Sequence, residues 1–271
     1  MQTSPDQSLA DEIYRSGDSD YMVSLARGLH VIQAFCEDGR ERLTIADVTR
    51  LAGLSRTVVS RCLYTLQELG YVGREGRHYF LLPRVLKLGY GYVSTASLPS
   101  LAQPILNELA EKTDSSAAIV VRDGADVLYI AKSNPPTYRN VLSLSVNIGH
   151  RRPACATASG VVLLSILAQA DFEDYLAGLQ EDTVELVSGR TVDTISAEVE
   201  RCRLDGFALV PLQFSRSMRS LAVPVKNVVG EVVASMAIAV YDEDSDDAKF
   251  TARHLPVLRK ASRTLSETLV D

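Results

Sequence analysis

Apolar residues recur every three to four positions over residues 24–36 (SLARGLHVIQAFC). That spacing predicts a helix with Leu25, Leu29, Ile32 and Phe35–Cys36 on one packing face and Ser24 as its N-cap. After the turn EDGRER, Thr44 opens a short helix, IADVTRLA, with Asp47 three residues on, an approximate capping box. Gly53 closes that helix, Leu54 bridges a tight turn and Ser55 caps the next one. From Arg56 to Leu69 the positions Val59, Cys62, Leu63, Leu66 and Leu69 keep the helical period until Gly70 stops it. YVGREGRHYFLL then alternates about Gly73–Gly76 and predicts a small β-hairpin. Pro83 opens a further helix, RVLKLGYGYVSTA, whose composition and position suit a linker between domains.

Beyond Pro104 a helical stretch, ILNELAEKT, leads into alternating segments. Strands are expected at 117–122, 127–132, 141–146, 208–212, 220–225 and 232–240, and helices at 157–167, 171–179, 194–205 and 251–269. Strands outnumber helices and do not strictly alternate with them, so the expected class is α+β with a mostly antiparallel sheet. Residues 1–20 are rich in Ser and Asp and poor in apolar groups, the composition of a disordered acidic tail.

The chain's 271 residues exceed one ordinary domain and suggest two. A formal charge of −6 seems to speak against a polyanion partner, but it is unevenly spread. Residues 21–95 hold 10 Lys/Arg against 6 Asp/Glu, while residues 1–20 hold 1 against 5 and residues 96–271 hold 17 against 23. A mildly basic block thus sits between acidic flanks, a pattern that favours nucleic-acid binding by that block. No run of about 18 apolar residues exists and the start lacks a signal peptide's basic and apolar regions, so the expected location is cytoplasmic, with no membrane span. Cys36, Cys62, Cys155 and Cys202 are scattered, as are the four histidines, so no metal, disulfide frame or cofactor is expected.

Helix, short helix, glycine-containing turn, second helix and hairpin together make a winged helix-turn-helix. Val59, Leu63 and Leu66 turn the second helix onto Leu25, Leu29, Ile45, Val48 and Leu51. Arg56, Thr57, Ser60, Arg61 and Tyr64 then face outward with the guanidinium forks and hydroxyls that groove reading needs. The caps Thr44 and Ser55 join them as candidate DNA contacts, since a helix N-terminus can also hold a phosphate. The hairpin tip carries Arg74 and Arg77, with His78 beside it, and would lie on the backbone or in the minor groove. The competing reading is a helical hairpin with a solvated charged face that only dimerises.

These segments resemble the IclR family of bacterial transcription regulators. SLARGLHVIQAF, LTIADVTRLAGLSRTVVSRCLYTLQELGYV and RHYFLLPRVLKLGYGYVS carry the likeness, followed by GHRRPACATASGVVLL, DGFALV, MRSLAVPVKNVVGEVVASMAIAV and HLPVLRKASRTL. SLARGL and MRSLAVPV are most similar to the branch that controls aromatic-acid catabolism, the β-ketoadipate, protocatechuate and 4-hydroxybenzoate regulators. The resemblance implies a winged helix-turn-helix over 21–82, a linker helix over 83–97 and a GAF-like antiparallel effector domain over 98–271. It implies a homodimer or dimer of dimers on operator DNA, a small carboxylate effector and, for an activator, contact with RNA polymerase. The expected function is ligand-responsive activation of an aromatic-acid catabolic operon. The alternatives are a repressor sensing an aliphatic oxoacid and, from another class, an enzyme with an appended DNA-binding domain.

The segment GHRRPACATASG places small residues at a helix start near Thr157, where backbone N–H groups favour an anion. The same small residues would equally permit close helix–sheet packing. Carried across from the family, the donors beneath the acid fall on Ala158 and Ser159, the apolar walls on Val141 and Leu144, and the strand positions on Val210, Ser220, Ala237 and Ala239. Arg152 falls where an apolar wall residue is common; it either pairs with a carboxylate or points outward beside Arg151. The sequence departs from the family at Pro211–Leu212–Gln213, where acidic residues are usual, and at Ala237 and Ala239, where hydroxyls are common. Both changes suit an aromatic ring better than a small oxoacid. Cys155 is read as an inert buried thiol rather than a reactive one, and no nucleophile–base pair is evident, so no catalytic residue is expected.

Overall fold

The computed structural model describes residues 20–37, 40–95, 97–135, 147–180, 183–184, 188–212, 215–242 and 246–269. Contacts divide the chain into two units, with the boundary between Tyr92 and Val93.

In the first unit, helix α1 (Val23–Glu37) is followed by the short strand β1 (Leu43–Thr44), α2 (Ile45–Ala52) and α3 (Arg56–Glu68). The hairpin β2 (Val72–Glu75) and β3 (His78–Leu81) completes a three-stranded antiparallel sheet in the order β1-β3-β2. The Thr44 hydroxyl accepts from the Asp47 backbone N–H, and the Asp47 carboxylate accepts from the Thr44 N–H, the reciprocal cap expected from the sequence. The Thr44 side chain and backbone, with Arg40, hold the Asp47 carboxyl well below the usual carboxylate range. Gly53 ends α2 at φ 61°, a left-handed position that suits a residue without Cβ. Val31, Ala34, Phe35, Leu43, Val48, Val59, Leu63, Leu66 and Val72 form the core.

Two sequence expectations fail here. Helix α1 begins at Val23, so Ser24 lies in its first turn and is not its N-cap. Leu25 and Leu29 do not join this core; they are 58% and 47% exposed. Helix α1 carries two apolar stripes, and Val31, Ala34 and Phe35 face inward. The leucine stripe faces a groove of about 550 Å³ lined also by Met22, Ile32, Val58, Cys62, Leu69, Tyr71 and Leu88.

A 3-10 turn (Pro83–Val85) leads into α4 (Leu86–Thr95), and α5 (Ser97–Thr113) follows. The sequence reading breaks the helix near Ser97–Pro99 and resumes it after Pro104. The structure instead runs α5 through both prolines. Pro99 lies in the first turn, where its missing N–H is harmless. Pro104 removes one ladder bond, offset by burial of Ala102, Leu106, Leu109 and Ala110.

Among the described residues, the second unit is built on a six-stranded sheet, all antiparallel, in the order β6-β5-β4-β9-β8-β7. Its strands are β4 (Ser116–Asp123), β5 (Asp126–Ser133), β6 (Arg151–Pro153), β7 (Ala208–Leu212), β8 (Ser215–Lys226) and β9 (Val232–Tyr241). The expected strand at 141–146 lies outside the described residues. On one face α5 and α9 (Asp247–Thr268) cover Ala117, Ile119, Leu221, Val223, Met236 and Ile238. On the other face α6 (Ala158–Ser165) packs on Ala118, Val120, Ala208, Val210, Ala222 and Ala237, with α7 (Gln169–Ala177) and α8 (Val192–Asp205) completing the layer. The result is α+β, as the sequence pattern predicts.

His254 of α9 is buried, with its ring 4.7 Å from that of Phe250. Burial, assisted by Arg253 and opposed by Asp242, lowers its pKa. The unfolded chain therefore binds a proton at His254 more readily than the folded one. Stability is complete above the ordinary histidine value of about 6.5 and is lost as pH falls below it. Replacing His254 by Phe should flatten the dependence of the thermal midpoint on pH between about 7 and 5. An unchanged slope would assign that dependence to other groups.

Candidate DNA-recognition and effector-binding sites

Helix α3 presents the DNA-facing candidates. Its inward residues are Val59, Leu63 and Leu66; Arg56, Thr57, Ser60, Arg61 and Tyr64 are all exposed, Tyr64 by 66%. Ser55 occupies the N-cap position with extended backbone and is exposed, and its side chain makes no capping bond. Arg61 differs from the others in lining the apolar groove beside α1. Thr44 also differs: it is half-buried and its hydroxyl donates to Asp47 Oδ2 at 2.6 Å, so its geometry is that of a cap.

The hairpin tip is braced from several sides. Arg74 Nε donates to the Gly76 carbonyl at 2.9 Å, and its guanidinium lies 5.5 Å from the Tyr79 ring centre. Arg42 pairs with Glu75 and lies over Phe80. Gly73 faces the Phe80 ring so closely that a Cβ there would come within 2.5 Å of it. Arg77 and His78 stay exposed at the tip. Sequence reasoning missed Arg42 and Arg84. Arg84 Nη1 donates to the Leu69 carbonyl at 2.7 Å and stacks over Tyr71, fixing the end of α3. Neither has a sequence signature, because each partner is distant along the chain.

In the second unit the strand register sorts the effector candidates. Directly opposed residues of an antiparallel sheet share a face. Ala118, Ala237, Ala222 and Ala208 form one such row beneath α6, all buried. Ser116, Ala239, Ser220 and Val210 form the next, in which all but Val210 are half-buried. Ala237 therefore serves helix–sheet packing, while Ala239 sits between two hydroxyls. Ser116 is a lining candidate that the sequence reading missed. Ser116 and Ser220 thus place one hydroxyl-bearing side chain on each side of Ala239.

Arg152 is opposite Val127, and Tyr129 is opposite Val120, so both arise on the α6 face. Burial pushes the Tyr129 hydroxyl up, and the nearby Arg152 charge pulls it the other way. Arg151 is opposite Leu128 and pairs with Asp123 and Asp126 at 3.1 and 3.2 Å. The two arginines that the sequence left undecided thus leave opposite faces of β6. Val141 and Leu144 lie outside the described residues.

At the start of α6, the Thr157 hydroxyl accepts from the Gly160 N–H at 2.9 Å. Ala158 and Ser159 occupy the first two helical positions, whose N–H groups have no acceptor within the helix itself. Ala158 shares a buried cluster with Val127, Val210 and Ala237, which brings four distant segments together. Cys155 is buried, and that burial pushes its thiol up, away from nucleophile chemistry.

A winged helix-turn-helix joined to an antiparallel sensor-type domain defines a DNA-binding regulator. The IclR helix-turn-helix domain matches residues 24–76, and the bacterial transcriptional regulator IclR C-terminal domain matches residues 90–267. The chain belongs to the IclR family of bacterial transcriptional regulators and is not an enzyme. It is 35% identical to the Pca regulon regulatory protein of Pseudomonas putida, covering 94% of this chain and 86% of that one. It is 32% identical to the p-hydroxybenzoate hydroxylase transcriptional activator of Acinetobacter baylyi, covering 91% of each. Among solved structures, a transcriptional regulator from Rhodococcus sp. RHA1 is 35% identical with a TM-score of 0.73, covering 92% of this chain and 98% of that one. The inducer-binding domain of the Acinetobacter PobR transcription factor, a double mutant in complex with 3-hydroxybenzoic acid, is 27% identical with a TM-score of 0.54. It covers 63% of this chain and 98% of that one. Among the described residues, no helix is long and apolar enough to cross a membrane.

Proposed function

We propose that this protein is a cytoplasmic, homodimeric activator of genes for aromatic-acid catabolism that responds to an aromatic carboxylate. The observation that carries the effector class is the α6 face of the sheet. Ser116, Ala239 and Ser220 form a half-buried row of small side chains there, Tyr129 and Arg152 rise from the neighbouring strands β5 and β6, and α6 begins with two N–H groups that have no acceptor in the helix. A flat ring fits against small residues, and a carboxylate fits a guanidinium or a helix start. The aromatic-acid pathways named in the relatives' descriptions, and the 3-hydroxybenzoic acid bound to the PobR domain, support the same class. The sign of regulation follows the activator among the relatives and implies contact with RNA polymerase. Isothermal titration with aromatic and aliphatic acids tests the reading; binding of aliphatic oxoacids alone would replace it with an oxoacid sensor.

The operator is read by Arg56, Thr57, Ser60 and Tyr64 from α3, with Ser55 at its start and Arg74 and Arg77 from the wing. Replacing Arg56 by Ala should weaken operator binding by about 1–3 kcal/mol and leave effector binding unchanged. Gel-shift titration checks it, and an unchanged affinity would remove Arg56 from the interface. Replacing Arg77 by Ala should instead weaken all sequences alike and reduce the slope of log affinity against log salt by about one.

Dimerisation uses the groove between α1 and α3. The groove's lining (Met22, Leu25, Leu29, Leu69) and the exposed apolar side chains of α4 (Leu86, Leu88, Tyr90, Tyr92) belong to the same unit. A two-fold copy covers both surfaces at once, and such symmetry matches an inverted operator repeat.

A further inference from the structure

Helix α6 is held at both ends by arginines, one just before α8 and one in its last turn. At its far end, Arg203 Nε and Nη2 donate to the carbonyls of Ser165 and Leu167 at 3.1 and 3.2 Å, and the guanidinium lies over Phe172. Arg203 sits in the last turn of α8. At the near end, Arg190 stands just before the Thr191 N-cap of α8 and reaches back to the 3-10 turn Ala154–Ala156 that delivers the chain to α6. Its Nη2 donates to the Cys155 carbonyl and its Nη1 pairs with Glu198. The opposite side of the same residue is also held: the Cys155 N–H donates to the Tyr175 hydroxyl at 3.0 Å. The turn therefore has one residue gripped through both of its backbone groups by two side chains from elsewhere in the fold.

This arrangement is expensive if packing is its only purpose. Arg190 is only 9% exposed, and its Nε has no acceptor among the described residues. Burial raises the pKa of the partner Glu198 against the pull of Arg190. Apolar residues of similar volume fill such a place at least as well, because a buried ion pair's attraction rarely exceeds its desolvation penalty. What apolar residues cannot do is fix the direction of a peptide group. Gly160 shows how tight the tolerance is: a Cβ there would lie 1.9 Å from the Ala154 carbonyl oxygen. The turn is thus blocked on the α6 side and tethered on the α7 and α8 sides.

We propose that Arg190 and Tyr175 are positioning residues for effector binding: by gripping the Cys155 peptide they aim the first N–H groups of α6 at the effector's carboxylate. Neither residue touches the acid; each acts through the turn. This rests on the effector reading above. Arg203, at the opposite end of α6, stabilises the helix without setting its start.

The test uses the full chain and two probes with the same ring, 4-hydroxybenzoate and the neutral 4-hydroxybenzamide. The variants are Tyr175→Phe, the double change Arg190→Met with Glu198→Gln, which leaves no unpaired buried charge, and Arg203→Met as the control. Titration should show affinity for the acid falling by about tenfold in the first two variants and by much less for the amide, so that the preference for the acid collapses. Arg203→Met should lower the thermal midpoint yet keep the acid-to-amide ratio within about twofold of the parent. Amide hydrogen exchange without ligand gives an independent readout. The N–H groups of residues 158–160 should exchange faster in the two clamp variants and not in Arg203→Met. A ratio and an exchange pattern that stay unchanged in both clamp variants, or that shift equally in Arg203→Met, overturn the proposal. If the parent chain binds neither probe, the effector reading fails, and unchanged exchange in the clamp variants then overturns the clamp as well.

Discussion

Replacing Gly160 by Ala should destabilise the sensor unit by on the order of 3 kcal/mol or more. The added Cβ would lie 1.9 Å from the Ala154 carbonyl oxygen and within 2.6 Å of the Ala154 carbonyl carbon and Cα. Those are backbone atoms, so no rotamer change relieves the overlap. The turn cannot retreat freely either, because Arg190 and Tyr175 hold the Cys155 peptide behind it. Calorimetry should show the transition of residues 93–271 falling by roughly 6–12 °C for such a loss in a unit of this size. A midpoint within about 2 °C of the parent would show that the turn and helix can part at little cost.

The second large effect concerns assembly. Changing Leu25 and Leu29 together to Asp should convert the protein to a monomer of the DNA-binding unit and weaken operator binding by about a hundredfold or more, since one half-site then binds without the other. Both leucines lie outside the core, so circular dichroism of the variant should match the parent. Sedimentation together with operator titration separates the outcomes. A variant that remains a tight dimer with full operator affinity would place the interface elsewhere.

The winged helix-turn-helix was legible because its signals are local. A capping box, a glycine between two helices and a glycine-tipped hairpin each need only a few neighbouring residues. The same is true of the main strands of the sensor. Helix α1 shows where that kind of reading stops: its period reveals a helix, but two apolar stripes share the turn, and only packing selects Val31, Ala34 and Phe35 over the leucines. The three-residue strand β6 is too short to signal itself, and until its pairing with β5 is known nothing decides which of Arg151 and Arg152 lies on the α6 face. Helix α5 was obscured by Pro99 and Pro104, whose local penalties are outweighed by tertiary burial. The Arg190 grip was invisible for a different reason: its carbonyl partner is 35 positions away in sequence. By sequence alone, the small residues near Thr157 suit either an anion site or close packing. Ala154, Ala158 and Gly160 are all buried, so close packing is present there.

The two outermost strands of the sensor sheet have a consequence for how the protein behaves at high concentration. A free strand edge offers unpaired N–H and C=O groups to any other extended chain. Among the described residues one edge is β6, only three residues long, carrying two arginines and ending in Pro153. The other is β7, where Pro211 removes a donor and the pairing slips between Pro211 and Leu212. Both rims are therefore poor templates for strand addition. Strand addition at these two described edges is disfavoured, which leaves the exposed apolar helix surfaces as the route by which copies of the chain associate.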